Sequence, residues 1–272
     1  MISEFIASWP LFQNSYLAGW LIAVLLSLLG VFVVARDQIF AGAAVSQASL
    51  LGIAVGMYFR AFLASMGCAA CESDTLLIPF GVAFGVLTAL LTGRKGVVAG
   101  ESHEALTGWA YLLTATAAVL LLAHSPHGLE EVERLIASTI LGATRLDLGL
   151  FGVLVAVTVL VCARSRAALL LLALDSEMAA AVGIPVGRWS ALFSAWLGLS
   201  IGMSIRVAGA IFTFGALVLP AMVAKSLCRE VSPMLVVAPV ARTASRTVSN
   251  TGRSRWRSPP RPGVTPPTSR VP

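Results

Sequence analysis

Several short stretches of the sequence carry residue types that bind transition metals. The densest is His124-x-x-His127 with Glu130 and Glu131, which places imidazole and carboxylate groups within eight positions. Imidazole nitrogens and carboxylate oxygens are common zinc ligands, so the cluster predicts a metal site. A histidine pair in a loop that contains Pro and Gly is equally typical of solvated surface, and both interpretations stay open.

Two further clusters have weaker ligand patterns. Cys68-x-x-Cys71 precedes Glu72 and Asp74, and in an oxidising compartment this cysteine pair could close a disulfide instead of binding a metal. The segment Glu101–Glu104 contains one histidine between two glutamates. It is more typical of a solvated loop or a helix start than of a metal site.

A fourth polar group, Ser46, Gln47 and Ser49, lies inside an otherwise apolar run. Polar side chains at the depth of a membrane are tolerated mainly where they face the helix bundle or a water-filled path. Small residues four apart recur in the apolar runs and predict close helix packing. These pairs are Gly52 and Gly56, Gly81 and Gly85, and Gly198 and Gly202.

The elements that must position these groups are long apolar segments. The chain is 57% hydrophobic and 12% charged, and a membrane-spanning helix needs about 20 apolar residues. The runs lack both the polar stripe of a soluble helix and the alternation of barrel strands. The sequence therefore predicts an all-α, multi-pass membrane protein with about seven spans. They are Tyr16–Ala35, Ile39–Phe59, Thr75–Thr92, Ala105–Ala123, Asp147–Ala163, Trp189–Ile205 and Val207–Ala224.

Basic residues between the spans predict the orientation, because cytoplasmic loops retain most Lys and Arg. With the N-terminus outside, eight basic loop residues lie in the cytoplasm and four lie outside. No Lys or Arg precedes the first span, which therefore lacks the positive region of a cleaved signal peptide. We expect a multi-pass protein of the cell inner (plasma) membrane with its N-terminus outside.

A loop between the fifth and sixth predicted spans carries helix-capping signals. Asp175 can cap a short helix with Glu177 in its first turn, and Gly183 with Pro185 can end that helix. A short helix of this kind on the cytoplasmic side could dock a soluble partner. In the final span Pro220 removes a backbone hydrogen bond and predicts a kink.

The C-terminal segment 242–272 differs in composition from the rest of the chain. It holds seven of the 19 basic residues and no acidic one, so the remaining 12 basic and 13 acidic residues give a net charge of −1. Its Arg-, Ser- and Pro-rich composition predicts disorder. Residues 231–241 have the composition of a further span that begins and is interrupted. Translation of a GC-rich gene in the wrong frame is the favoured interpretation of this segment, and a genuine basic cytoplasmic tail is the alternative.

Residues 1–230, the predicted membrane domain, resemble the integral membrane subunits of zinc, manganese and iron ABC transporters, the ABC-3 permease family. The resemblance depends on the order and spacing of several segments from about residue 29 to about residue 230. These are Gly30–Val34 as the turn into Ser46–Gly52, Leu141–Asp147, the loop helix Asp175–Gly183, and Val207–Ala221.

The resemblance implies a function and a set of partners. This chain would be the permease of a divalent-metal importer, with a second permease subunit, an extracytoplasmic metal-binding protein and a cytoplasmic ATPase. ATP would be hydrolysed by that ATPase, because this chain has no Gly-rich phosphate loop. No cofactor in this chain, no enzymatic activity and no nucleic-acid partner are expected. The implied sites are a translocation path (Ser46, Gln47, Ser49), an ATPase-coupling helix (Asp175, Glu177, Ala179, Gly183) and gating or kink positions (Gly209, Gly215, Pro220).

Two departures from the family pattern bear on function. Members commonly have His at the position of Gln47, and a carboxamide is a poor zinc ligand, so the metal stays open. The family also usually has a further span after Glu230. A non-transporting scaffold or a truncated remnant of a permease is therefore the alternative function. Related permeases for iron-siderophore or cobalamin uptake remain possible, but this chain is short for them.

Overall fold

A computed structural model gives the structure of the protein over residues 2–65, 77–93, 103–123 and 143–227. Within these ranges the chain is helical and contains no strand. Four groups of residues named in the Sequence analysis lie outside the described ranges: residues 68–74, Glu101, residues 124–131 and everything after Leu227. The metal site and the properties predicted for residues 231–272 therefore stay predictions.

Nine helices form the described part of the chain, and the predicted all-α architecture is confirmed. Seven of them coincide with the predicted apolar runs, while a short pair follows the fifth run. The helices are α1 (Ile2–Ala35), α2 (Ile39–Ser65), α3 (Leu77–Gly93), α4 (His103–Ala123), α5 (Arg145–Arg164), α6 (Arg166–Leu174), α7 (Ser176–Ala181), α8 (Val186–Ala208) and α9 (Ala210–Leu227).

Five of the helices, α1, α2, α4, α5 and α8, are long and apolar enough to cross a membrane. The apolar helices α3 and α9 are shorter. Two boundaries differ from the prediction. Gly30–Val34 lies in the last turns of α1, and the turn into α2 is formed instead by Arg36–Gln38. Val207 lies in the last turn of α8, which ends at Ala208, rather than beginning the last helix, because Gly209 adopts φ +78° and separates α8 from α9.

Glycines allow α3 to pack between α2 and α8 at backbone distance. A Cβ atom added to Gly198 of α8 would lie 2.6 Å from Val86 Cα and 2.7 Å from the Gly85 carbonyl oxygen of α3. On the other side of α3, a Cβ at Gly52 would collide with the Phe80 carbonyl. The small-residue spacings thus serve helix packing, as predicted from the sequence. In lipid, such close approach supplies much of the attraction between helices.

The ends of the helices define two opposite faces of the bundle. One face carries α7, the α1–α2 turn and the C-terminal end of α9. An ion pair between Asp37 and Lys225, 3.0 Å apart, joins the turn to α9. We call it the α7 face. The opposite face carries the start of α5 and the end of α8, joined by Asp147 and Arg206. Ser190, in the first turn of α8, donates a hydrogen bond to the Gly93 carbonyl and fixes the end of α3 at the α7 face.

The tight α3–α8 contact predicts opposite effects for two alanine substitutions. Gly198→Ala should lower the free energy of unfolding by about 1–3 kcal/mol, since the added methyl group meets backbone atoms that cannot move aside. Gly152→Ala in α5, where a Cβ meets nothing within 4 Å, should raise it by up to about 1 kcal/mol through helix propensity. Unfolding titrations in detergent measure both changes, and equal effects would contradict the packing argument.

Candidate functional site

The three polar residues of α2, Ser46, Gln47 and Ser49, lie on two sides of that helix. Ser46 and Ser49 are buried in the bundle, whereas Gln47 is half-buried. Ser46 Oγ donates to the Gly42 carbonyl at 2.8 Å, so its hydrogen-bonding capacity is met within the helix. Ser49 Oγ has no hydrogen-bond partner among the described residues, although Ser49 is completely buried. An unpaired buried hydroxyl is unfavourable, and close packing alone does not require one.

The predicted loop helix forms as α7, with the cap that the sequence indicates. Asp175 Oδ1 accepts hydrogen bonds from the backbone N–H groups of Glu177 at 2.9 Å and Met178 at 3.0 Å. Ala179 is completely buried and anchors the helix, while Glu177 and Met178 are exposed. Gly183 has φ +87°, a conformation that L side chains rarely adopt, and it ends the helix. The α7 helix is therefore a short, firmly capped projection with an exposed apolar side chain.

A cavity of about 680 Å³ lies beside α7. It is bordered by the α1–α2 turn, the end of α3, the junction of α6 with α7, and the first turn of α8. Its charged residues are Arg36, Asp37, Asp175 and Glu177. The lining thus carries one positive and three negative side chains. Lys225 is paired with Asp37, so these five side chains together have a net charge of −1.

Arg36 connects this cavity with the core. Its guanidinium carbon lies 5.3 Å from the centroid of the Phe193 ring, and Phe193 packs edge-on against Phe32 at 5.8 Å. Burial lowers the pKa of Arg36 from its usual value. Because arginine remains protonated even so, the aromatic face provides compensation for the charge. No carboxylate among the described residues pairs with Arg36, since Asp37 is bonded to Lys225.

The described ranges contain no group of three or more His, Cys, Asp or Glu residues that could hold a metal ion. Of the predicted metal-site residues, His124, His127, Glu130 and Glu131 lie outside those ranges. His103 and Glu104 begin α4, in agreement with their interpretation as a helix start.

The sequence matches the ABC 3 transport family over residues 8–251. The chain belongs to the ABC 3 transport family. It is 24% identical over 226 residues to slr2045, an uncharacterized membrane protein of Synechocystis sp., and the match covers 83% of this chain and 75% of that protein. The resemblance identified from the sequence is thereby confirmed.

Two solved structures share the fold of this ABC 3 family member. PsaBC from Streptococcus pneumoniae, in complex with a Fab, superposes with a TM-score of 0.71 at 21% identity, and the match covers 93% of this chain and 88% of that one. The inward-facing structure of a protein described as a metal-chelate type ABC transporter gives a TM-score of 0.58 at 17% identity, with 87% and 85% covered. At these identities they show the shared fold alone, and the family match adds that this chain is a multi-pass membrane protein of an ABC transport family.

The predicted gating positions of this ABC 3 family member lie at and after the break between α8 and α9. Gly209 is the break itself, with φ +78°. Gly215 and Pro220 lie inside α9, and Pro220 is buried there. Gly209 therefore separates two helices rather than bending one, whereas the kink at Pro220 stays a prediction.

The structure also shows an ion pair that the sequence analysis missed. Asp147 is buried at the start of α5, where its Oδ2 accepts hydrogen bonds from the backbone N–H and the hydroxyl of Thr144. Its Oδ1 accepts from Arg206 at 2.5 Å. In the sequence, Asp147 stood out only as the start of an apolar run and the end of the segment Leu141–Asp147, and Arg206 only as one of the four basic residues counted on the outer side. A threonine followed three residues later by an acidic residue is a helix-capping signal, so Thr144 and Asp147 could have indicated the start of α5. That signal gives no indication of Arg206 as the partner of Asp147.

A double-mutant cycle should show strong coupling between Asp147 and Arg206. With Asp147→Asn, Arg206→Gln and the double variant, we expect a coupling energy of about 1–3 kcal/mol, since the carboxylate is buried while Arg206 is about a third exposed. The matched cycle of Asp37→Asn with Lys225→Gln should give at most about 1 kcal/mol, because both groups are largely exposed. Denaturant titrations in detergent give all these values, and an equal coupling at the two pairs would contradict the assignment.

Proposed function

We propose that this chain is the permease of an ATP-driven importer of divalent metal ions, of the zinc, manganese and iron class. The observation that best supports this proposal is helix α7, which is capped and projects from one face of the bundle in a chain of the ABC 3 transport family. Transport requires polar side chains inside the bundle, and coupling requires a projecting helix that a partner can bind. ATP would be bound and hydrolysed by the partner subunit, and the metal would be the substrate.

In this proposal Ser46, Gln47 and Ser49 border the translocation path. Support comes from Ser49, whose buried hydroxyl is left without a partner, and from Gln47, which is half-buried and so accessible from one side of α2. Hydroxyl and carboxamide oxygens are hard ligands that suit manganese better than zinc. The proposed path therefore favours a hard divalent ion, delivered by an extracytoplasmic metal-binding protein and carried by a pair of permease subunits.

The coupling helix would be α7, with Asp175, Glu177, Ala179 and Gly183 as its functional positions. Asp175 and Gly183 define the two ends of the helix, and buried Ala179 holds it against the bundle. Exposed Glu177 and Met178 would contact the ATPase. Exposed apolar residues beside charged ones at a bundle end are suited to a protein interface. The proposed N-out orientation places this face in the cytoplasm, as docking of an ATPase requires.

Gly183→Arg should abolish metal uptake while leaving the amount of membrane-inserted protein unchanged. A side chain at Gly183 would enter open space, since nothing lies within 4 Å of its Cβ position, so the arginine would stand on the docking surface. Gly183→Asn is the matched control, because asparagine tolerates positive φ better than other residues with a Cβ and adds little bulk. Radiometal uptake into cells and immunoblots of membranes measure both quantities. Normal uptake by Gly183→Arg would reject the coupling assignment.

Ser49→Ala separates a role in the path from a role in packing. Removal of an unpaired buried hydroxyl should leave the free energy of unfolding unchanged or raise it by up to about 1 kcal/mol. If Ser49 contacts the ion, uptake should nevertheless fall at low metal concentration through a higher KM. Ser46→Ala, which removes a hydroxyl already bonded to Gly42, should change KM less. An unchanged KM in Ser49→Ala would assign this serine to packing.

The coding DNA distinguishes the permease from a truncated remnant. An apolar span of about 20 residues in another frame beyond Ala241 would identify an intact parent permease and an erroneous tail. The absence of such a span would favour a shortened or repurposed protein. Neighbouring genes for an ATPase and a secreted metal-binding protein would support the importer directly.

A further inference from the structure

We propose that Arg36 is a positioning residue of the transport cycle, and that it pairs with Glu177 when the cavity beside α7 narrows. Docking of the ATPase on α7 would cause the narrowing, so this step rests on the proposed function. Both side chains line that cavity, and in the structure no ion pair joins them. Arg36 and Glu177 would therefore be apart in the resting chain and bonded in the docked one.

Arg36 lacks the partner that a half-buried guanidinium normally has. No carboxylate among the described residues binds it, and its guanidinium carbon lies over the Phe193 ring, 5.3 Å from the centroid. A cation–π contact stabilises a guanidinium less than the paired hydrogen bonds of a carboxylate do. A carboxylate that came within reach would therefore bind Arg36 without having to displace another anion.

Of the three carboxylates that line the cavity, Glu177 is the one that remains available. Asp37 is paired with Lys225 at 3.0 Å, and Asp175 accepts hydrogen bonds from two backbone N–H groups of α7. Glu177 is exposed and forms no ion pair with any residue that the structure describes. A half-buried cation and a free carboxylate thus border the same cavity.

Helix α7 can change its tilt with little loss of packing. It has six residues, of which Ala179 is the buried one. Non-helical residues lie at both of its ends: Asp175 is extended and separates α6 from α7, and Gly183 has φ +87°. A few residues at the ends of an element commonly serve as hinges. A tilt toward the α1–α2 turn would reduce the cavity of about 680 Å³ and bring Glu177 to Arg36.

The new pair would connect α7 with α8. A planar guanidinium can bind a carboxylate at its edge while its face stays on an aromatic ring, so Arg36 could hold Glu177 and Phe193 together. Helix α8 also carries Gly198, which packs against the backbone of α3. A displacement of α7 would in this way reach the helices beside the proposed path. Met178, exposed on α7, would remain in contact with the ATPase.

Charge reversal tests this pair in an uptake assay. Uptake of radiolabelled Mn²⁺ is measured in cells that carry the intact transporter, for Arg36→Glu, Glu177→Arg and the double variant, with immunoblots of the membrane fraction. Each single reversal should lower the maximal uptake rate at least about tenfold, within the usual range for coupling between sites. The KM should not change, because the proposed path is untouched. The double variant should return to within about threefold of the native rate, since the pair is restored with its charges exchanged.

Two further measurements separate a pair formed during transport from a permanent one. Asp175→Asn removes a charge from the same cavity but keeps the helix cap, and it should leave uptake nearly unchanged. In unfolding titrations of the purified chain in detergent, without the ATPase, the effects of Arg36→Gln and Glu177→Gln should simply add. No ion pair joins the two residues in that state, so the double variant should show no coupling energy.

Three results would overturn the pairing of Arg36 with Glu177. One is full uptake by either single reversal. Another is a double reversal that reaches the membrane in normal amount but stays as slow as the worse single variant. The third is coupling between the two residues in the unfolding titrations, which would make the pair a fixed structural contact. Loss of uptake in Gly183→Arg does not depend on these results, so the proposed function can stand where the pairing fails.

Discussion

The structure depends on backbone contact between α3 and its two neighbours, α2 and α8. In lipid the apolar side chains of a helix gain little by leaving the solvent, since the solvent is itself apolar. The attraction that remains between helices is van der Waals contact, and glycine allows two helix backbones to approach most closely. Gly52, Gly85 and Gly198 lie where a Cβ atom would meet backbone atoms of the facing helix. The core formed by α2, α3 and α8 is therefore stabilised by close packing of complementary surfaces rather than by the hydrophobic effect.

The proposed functional features lie within and beside this core. Ser49 lies against Gly85, so the unpaired hydroxyl is at the contact between α2 and α3. At the α7 face, Ser190 and Phe193 of α8 extend the same packing to the end of α3 and to Arg36. A force applied to α7 therefore acts on elements that contact the core directly. This arrangement is what a coupling helix needs if it is to influence a path inside the bundle.

Local patterns in the sequence predicted local structure well. The apolar runs predicted the long helices because hydrophobic length is the main requirement of a membrane span, and Asp175 and Gly183 predicted the bounds of α7 because capping depends on residues near in sequence. Interactions between distant residues were not predictable in this way. Nothing near Asp147 indicates Arg206 as its partner, and nothing near Arg36 indicates Phe193. The boundary between the last two spans was predicted at Arg206, three residues before the observed break at Gly209, because the charged residue interrupts the apolar run whereas the backbone conformation of Gly209 leaves no mark in the composition.

Helix α5 is fastened to α8 at two points. Near the middle of α5, Thr158 Oγ accepts a hydrogen bond from the Trp196 indole N–H at 2.9 Å, and at its start Asp147 binds Arg206. The two points are about 15 Å apart along either helix, which run antiparallel. The rest of α5 packs on α1, with Phe151 and Leu154 in the shared core. The two bonds to α8 and this contact with α1 hold α5 on two sides, so a displacement of α8 relative to α1 would strain either the bonds or the packing of α5.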